Sequence, residues 1–227
     1  MSLDEVEKIV EFIHSEKILG KLNKGYYYCH ASLCLIDAVY SVNSKYDAVE
    51  KAIERYSSYY KVLPISAPNR LTSKEDTIQD LHNHISETGP LKFAEEVIKN
   101  KTKIKNRLKS EVLLELASYF IEEDIFNLSQ LSGWGEKVNP DLFKKESNIF
   151  GIGSTTVKYL AMLAGNESLI KPDRHILRFL ADVLRRTIND PKEAEILLKE
   201  TARILKVPAR TLDNSIWRYQ RSKKRGK

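Results

Sequence analysis

Ile149-Phe150-Gly151-Ile152-Gly153-Ser154-Thr155-Thr156-Val157 is the stretch on which the fold turns. Before it, Asn139-Pro140 places a cap and a first-turn proline ahead of a short helix running to about Ser147. After it, residues Ser154 to Ala164 read as a second helix that stops at Gly165. Two helices joined by so short a connection make a hairpin. Gly151 and Gly153 flank a single apolar residue, Ile152, which faces inward and pins the turn. Glycines there open backbone angles closed to other residues and let another backbone approach closely. The first amides of the second helix have no intrahelical partners, and the positive end of the helix dipole lies behind them. Such a terminus binds phosphate without needing a basic side chain. The same motif also fits an ordinary tight turn.

Outward from the hairpin, nearly every segment has helical period. Residues 4–18 carry Val6, Ile9, Val10, Phe12 and Ile13 on one face, and residues 29–42 are apolar almost all round, as a buried central helix should be. Residues 46–60 continue the pattern before Pro64 and Pro68 interrupt it. Thr72-x-x-Glu75 reads as a capping box opening a helix to about residue 86, and Gly89-Pro90 restarts the chain into a short helix. A basic polar stretch from Lys99 to Lys109 leads to a helix over 110–122, and Ser132-Gly133-Trp134-Gly135 reads as a turn. Two helices follow the one that begins near Pro172-Asp173, the last opening after Pro208. No alternating run is long enough to read as a strand, so the expected class is all-α.

Asp173, directly after Pro172, falls at the N-cap of its helix. Its carboxylate is placed to accept backbone N–H bonds from around His175 and Ile176. An anionic carboxylate suits two tasks at a sugar losing its base. It can stabilise an oxocarbenium-like centre, and it can orient or deprotonate an attacking water. A simple helix cap is the plainer reading of the same residue.

Composition bounds these readings. The 227 residues are 42% hydrophobic and 30% charged, and no apolar run approaches the ~20 residues a membrane span needs. The N-terminal Met1-Ser2-Leu3-Asp4-Glu5 lacks the basic-then-apolar order of a signal peptide, so an intracellular protein is expected, with no membrane partner. Cys29 and Cys34 are too few for a disulfide scaffold or for the four ligands of an iron–sulfur cluster, and they suit core packing. The net charge of +6 is concentrated in Arg218–Lys227, which holds six Lys/Arg and no acid; the rest balances at 31 against 31. That end either attracts phosphates without regard to sequence or is a disordered, solubilising tail.

Residues 149–178 resemble the helix–hairpin–helix DNA glycosylase superfamily, with an endonuclease III-like fold. The hairpin is similar to the family's Leu-Pro-Gly-Val-Gly pattern. Pro172-Asp173-Arg174-His175-Ile176-Leu177-Arg178, with Asp173 twenty residues after Gly153, is similar to its Val-Asp-Thr-His-Ile-x-Arg. More loosely, Leu33 to Asn43 resembles the apolar helix that opens the family's helical barrel. The resemblance implies that Gly151, Ile152, Gly153, Ser154 and Thr155 grip a DNA phosphate and that Asp173 is the catalytic carboxylate. It implies that Asn43 fills the gap left by the flipped base. It implies that the backbone carbonyls of Ser147, Ile149 and Ile152 hold a monovalent or divalent cation. Otherwise no cofactor is expected. The implied architecture is two all-α subdomains: a helical barrel over 25–168, and a bundle of 1–24 with 169–227. The hairpin and Asp173 would line the cleft between them. Double-stranded DNA is the expected partner and a monomer the expected state.

The departures narrow the chemistry. Thr155 stands where bifunctional members carry the Schiff-base lysine, so water is the expected nucleophile and no lyase step is expected. Lys158, one turn on, is the alternative lysine. Phe150 replaces the family's proline, and Val157 replaces a small residue at the helix contact, which is expected to loosen the packing. The family's cluster-binding cysteines are absent. Arg107 and Leu108 are candidate wedges into the base stack, and His175 is expected to brace the aspartate's loop. Trp134 fits either a cleft wall or a core cap, and His82 and His84 fit the surface better than a metal site. Tyr26, Tyr27, Tyr28, Tyr56, Tyr59 and Tyr60 fit core packing better than base stacking. The resulting expectation is a monofunctional DNA glycosylase. The alternatives are a non-catalytic DNA-binding module and an all-α protein-interaction domain.

Overall fold

The computed structural model describes residues 3–21, 28–66 and 74–225. The chain runs through α1 (Leu3–Ser15), α2 (Ala31–Tyr40), α3 (Tyr46–Tyr60), α4 (Ile78–Thr88) and α5 (Pro90–Lys92), which passes into a π-helical turn at Phe93–Val97. Two short strands follow, β1 (Lys103–Ile104) and β2 (Arg107–Leu108), then α6 (Lys109–Glu122), α7 (Leu128–Lys137), α8 (Pro140–Ser147) and α9 (Ser154–Ala164). The last three helices are α10 (Arg174–Leu184), α11 (Pro191–Leu205) and α12 (Ala209–Arg225). Among the described residues the fold is all-α apart from the β1–β2 pair and an isolated bridge between Tyr28 and Ser66.

Helix starts follow local capping chemistry. Asn139 accepts the Asp141 and Leu142 amides at α8, Asp190 accepts the Lys192 amide at α11, and Pro occupies the first turn of both. At α4 the capping box is Thr77 with Asp80, not the expected Thr72 with Glu75. Thr72 lies outside the described residues, and Glu75 instead takes the Ala31 and Leu128 amides.

Other expectations change as well. The basic stretch 99–109 contains an antiparallel hairpin, with Lys103 opposite Leu108 and Ile104 opposite Arg107. Strands of two residues are too short to show alternation. Ser132–Gly135 is not a turn but lies inside α7, which Asn127 and Gln130 open with a reciprocal capping box. Gly135 is there for closeness: a Cβ on it would stand 3.2 Å from the Ala161 Cα of α9. Val157, expected to loosen the helix contact, is itself fully packed at 1% exposure. The basic C-terminal end, expected as a tail, is helical as far as it is described: α12 runs to Arg225.

The chain divides into two compact units, Met1–Asn23 with Asn166–Lys227, and Lys24–Gly165. In the Lys24–Gly165 unit, α2 is buried along its whole length and packs on α3, α4, α6 and α9. Its one carboxylate, Asp37, is bound by the hydroxyls of Tyr28 (2.8 Å), Tyr159 (3.0 Å) and Tyr46 (3.3 Å). Burial, and then the Asp37 charge, push the Tyr28 and Tyr46 hydroxyls well up, so both stay protonated donors. In the other unit α1 packs on α10 and α11, and α12 covers the same two helices. Val6, Ile9 and Ile13 meet Ile170, Ile176, Phe179, Leu197 and Leu212 in one core. Among the described residues no helix is long and apolar enough to cross a membrane.

Candidate functional site

The hairpin between α8 and α9 is built by two buried isoleucines and a left-handed glycine. Asn148 ends α8 in the left-handed region (φ 47°), and the Ile152 amide donates to the Ile149 carbonyl at 3.2 Å. Ile149 and Ile152 are both buried. Gly151 has φ +81°, and a Cβ there would meet Ile104 Cγ2 at 2.5 Å. Two independent constraints, one torsional and one steric, therefore require glycine at 151.

Gly153 is different. It is the N-cap of α9 with φ −103°, and a Cβ on it would meet nothing within 4 Å. Among the described residues no contact demands glycine here. The Thr156 and Val157 amides donate back to the Gly153 carbonyl at 2.9 and 3.0 Å, so the Ser154 and Thr155 amides precede the first bonded turn. The Ser154 hydroxyl donates to Asp141 Oδ1, tying the starts of α9 and α8 together, while Thr155 is exposed.

The β1–β2 hairpin rests on this motif. Lys105 Nζ lies 5.4 Å and the Arg107 guanidinium 5.7 Å from the centre of the Phe150 ring. Arg107 is also paired with Glu115, and the Leu108 amide donates to the Glu111 carboxylate. Both candidate wedge residues are half-buried and held down; the exposed turn residues are Lys105 and Asn106.

Asn43 is exposed, with φ +52°, in the turn after α2. That turn is clamped from beneath by Lys109, whose Nζ donates to Tyr40 O (2.9 Å), Val42 O (2.6 Å) and Ser44 Oγ (2.7 Å). Burial pushes the Lys109 ammonium down to about 8, so at neutral pH three N–H donors still meet three oxygen acceptors.

In the unit formed by the chain's two ends, Asp173 caps α10. Its Oδ1 accepts the His175 amide at 2.8 Å and the Ile176 amide at 3.2 Å. Its Oδ2 has no hydrogen bond among the described residues. The Asp173 amide donates to the Lys171 carbonyl at 2.7 Å, and the Lys171 amide donates to Asp213 Oδ1 at 2.9 Å. One residue, Lys171, thus links two aspartates through its amide and its carbonyl. Asp213 is buried, and desolvation, reinforced by the Asp173 charge, pushes its carboxyl up to about 8. Trp217 and Arg221 follow Asp213 at four-residue steps along α12. The Trp217 ring meets buried His175 edge-on at 6.4 Å, and the Arg221 guanidinium lies 4.6 Å over it.

Sequence reading missed Asp213, Trp217 and Arg221. The available signal was an acid on the apolar face of α12, between Leu212 and Ile216. Lys109 was missed because it lies in a lysine-rich run that reads as solvated.

The remaining candidates fall as follows. Lys158 is half-buried on α9. Trp134 packs edge-on against Phe120 (4.9 Å) and Phe143 (5.5 Å), and it also borders an open groove with Ile125 and Val138. Tyr56 is fully buried and Tyr59 half exposed; Tyr26 and Tyr27 lie outside the described residues. His84 is no free surface histidine: its Nδ1 meets the Tyr56 hydroxyl at 2.9 Å, and its ring stacks on Tyr60 at 3.6 Å. Cys29 and Cys34 are buried and unbridged. Among the described residues no group of three or more His, Cys, Asp or Glu is placed to hold a metal.

A family model described as "Domain of unknown function (DUF8548)" matches residues 7–221. The chain belongs to the DUF8548 family. The DUF8548 match takes in the hairpin, Asp173 and Asp213, and so draws on both units. No curated protein and no solved structure matches this DUF8548 chain.

Proposed function

We propose that this protein is a monofunctional DNA glycosylase: it grips duplex DNA through the α8–α9 hairpin and hydrolyses the N-glycosidic bond of an extruded, damaged or mismatched base. The DNA half of the reading rests on Gly153. Its open Cβ position and the amides of Ser154 and Thr155 suit close approach by a phosphate from outside the chain. The carbonyls of Ser147, Ile149 and Ile152 would hold a cation that assists; Ile149 O already spends one lone pair on the Ile152 amide. Exposed Asn43, on its clamped turn, would fill the gap in the duplex.

The catalytic half rests on the division of labour within one carboxylate. Two amides anchor Asp173 Oδ1, leaving Oδ2 available to substrate. In the proposed reaction the bond from C1′ to the base nitrogen breaks and the base leaves with the electron pair. Asp173 stabilises the positive sugar and takes a proton from the water that forms the new C1′–O bond. Thr155 has no amine, so no Schiff base forms at that position.

The test is a panel of duplexes carrying uracil, hypoxanthine, 8-oxoguanine, alkylpurine or mismatched bases, scored for abasic sites. The wild-type protein is expected to cleave at least one, and Asp173→Asn to lose that activity by 10²-fold or more, on the order expected for removing a positioned charge. Equal activity of Asp173→Asn and wild type on a cleaved base would overturn the mechanism. A second reading, a non-catalytic duplex-binding module, draws on the Lys24–Gly165 unit holding the hairpin, Asn43 and the basic strands by itself. Salt-dependent duplex binding with no abasic product across the panel would favour it.

A further inference from the structure

We propose that the β1–β2 hairpin is a second phosphate-contacting element, locked to the α8–α9 hairpin through Phe150 and Ile104, with Lys103 and Lys105 meeting the DNA backbone. The inference rests on the duplex-binding reading and extends it to a surface that the helix–hairpin–helix motif does not contain.

The segment Lys99–Lys109 holds six Lys/Arg and no acid. Within it the cations are not equivalent. Lys101 pairs with Glu95, Arg107 pairs with Glu115, and Lys109 is buried beneath the Asn43 turn. Lys103 and Lys105 are exposed and carry no ion pair among the described residues. Lys99 is likewise exposed and without an ion pair among the described residues, but it precedes the strands; Lys103 and Lys105 are the two carried by the β1–β2 hairpin itself, where a phosphate backbone would neutralise them.

Position is the second observation. Ile104, between these lysines, is the residue whose side chain fills the space beside Gly151, and its neighbour Lys105 lies over the Phe150 ring with Arg107. Phe150 is the residue that departs from the proline of the resembled family. Its ring supplies a face that proline lacks, and that face holds the basic turn against the hairpin. The amides of Ser154 and Thr155 and the ammonium groups of Lys103 and Lys105 thus belong to one joined surface rather than to two independent loops. A backbone crossing the α9 N-terminus has a second point of attachment on the strand turn.

The experiment measures binding of the full chain to an unmodified duplex across a salt series. Each phosphate neutralised contributes roughly 0.9 to the slope of log affinity against log salt. The Lys103→Gln/Lys105→Gln variant is expected to keep the wild-type circular dichroism and to lower the slope by about 1.8. Phe150→Leu, which keeps an apolar side chain and removes the ring face, is expected to fall between the two. Lys51→Gln, an exposed lysine on α3, is expected to match wild type. A salt slope for the double variant equal to wild type would overturn the second contact while leaving duplex binding intact. A wild-type protein whose duplex binding shows no salt dependence would remove the underlying reading, and the inference with it.

Discussion

Gly151 and Ile104, forty-seven positions apart in the chain, occupy one another's space so closely that a single methyl on Gly151 would stand 2.5 Å from Ile104 Cγ2. The contact joins the strand turn to the hairpin and separates the roles of two glycines that look alike in sequence. Gly151→Ala incurs both a left-handed backbone and a steric clash, and is expected to cost about 2–4 kcal/mol in chemical denaturation. Gly153→Ala meets neither, and is expected to stay within about 0.5 kcal/mol of wild type while weakening duplex binding. Equal destabilisation by the two substitutions would contradict this separation.

The Asp213 carboxyl makes a pH signature. Its folded value of about 8 lies above the ordinary 3.8, with Asp173 raising it and Lys171 lowering it beyond the dominant effect of burial. A raised value means that the protonated acid favours the fold. The contribution is complete below about pH 4, declines as pH rises, and is gone once pH passes through about 8. Thermal melting of wild type is expected to drop over that window. Asp213→Asn keeps an acceptor for the Lys171 amide and cannot ionise, so its melting temperature should be flatter and its advantage should grow with pH. Parallel curves for the two proteins would exclude Asp213 as the source.

Lys109→Met removes three donors from Tyr40 O, Val42 O and Ser44 Oγ. Buried acceptors left without donors cost roughly 1–3 kcal/mol each, part of which solvent recovers, so a loss of about 2–3 kcal/mol is expected. Amide exchange should quicken in the turn 41–44 before it does in α2. Unchanged protection of that turn would mean that the ammonium does not hold it.

Borohydride reduction of the protein with a cleaved duplex is expected to trap no covalent adduct. Thr155 offers no amine, and Lys158 is half-buried. A trapped adduct that disappears in Lys158→Gln would make that lysine a nucleophile.

What could be read from sequence was local. Asn139, Asp173 and Gly165 announce helix ends because capping bonds span only two to four residues. The Asp173 bonds to the His175 and Ile176 amides lie where its sequence position put them. What escaped was relational. Lys109 meets the Tyr40 carbonyl across 69 positions, and Asp213 meets the Lys171 amide across 42. No window of sequence contains either pair. Gly135 reads as a turn for another reason: glycine signals a turn and a close helix crossing with the same letter, and only Ala161 shows which applies. Phe150, a departure when judged against a family pattern, became intelligible once Lys105 was placed over its ring.

The unit that carries Asp173 is assembled from the two ends of the chain, and this sets an order of events during synthesis. Val6, Ile9 and Ile13 leave the ribosome well before their core partners, which extend from Ile170 to Ile216. At roughly 5–20 residues per second, α1 waits on the order of ten to forty seconds with its apolar face uncovered. All the helices of the Lys24–Gly165 unit emerge within that interval, so its core can close before α1 has anything to pack against. The nascent chain would therefore hold every residue of the hairpin's own unit while most of the core partners of α1 are still being made.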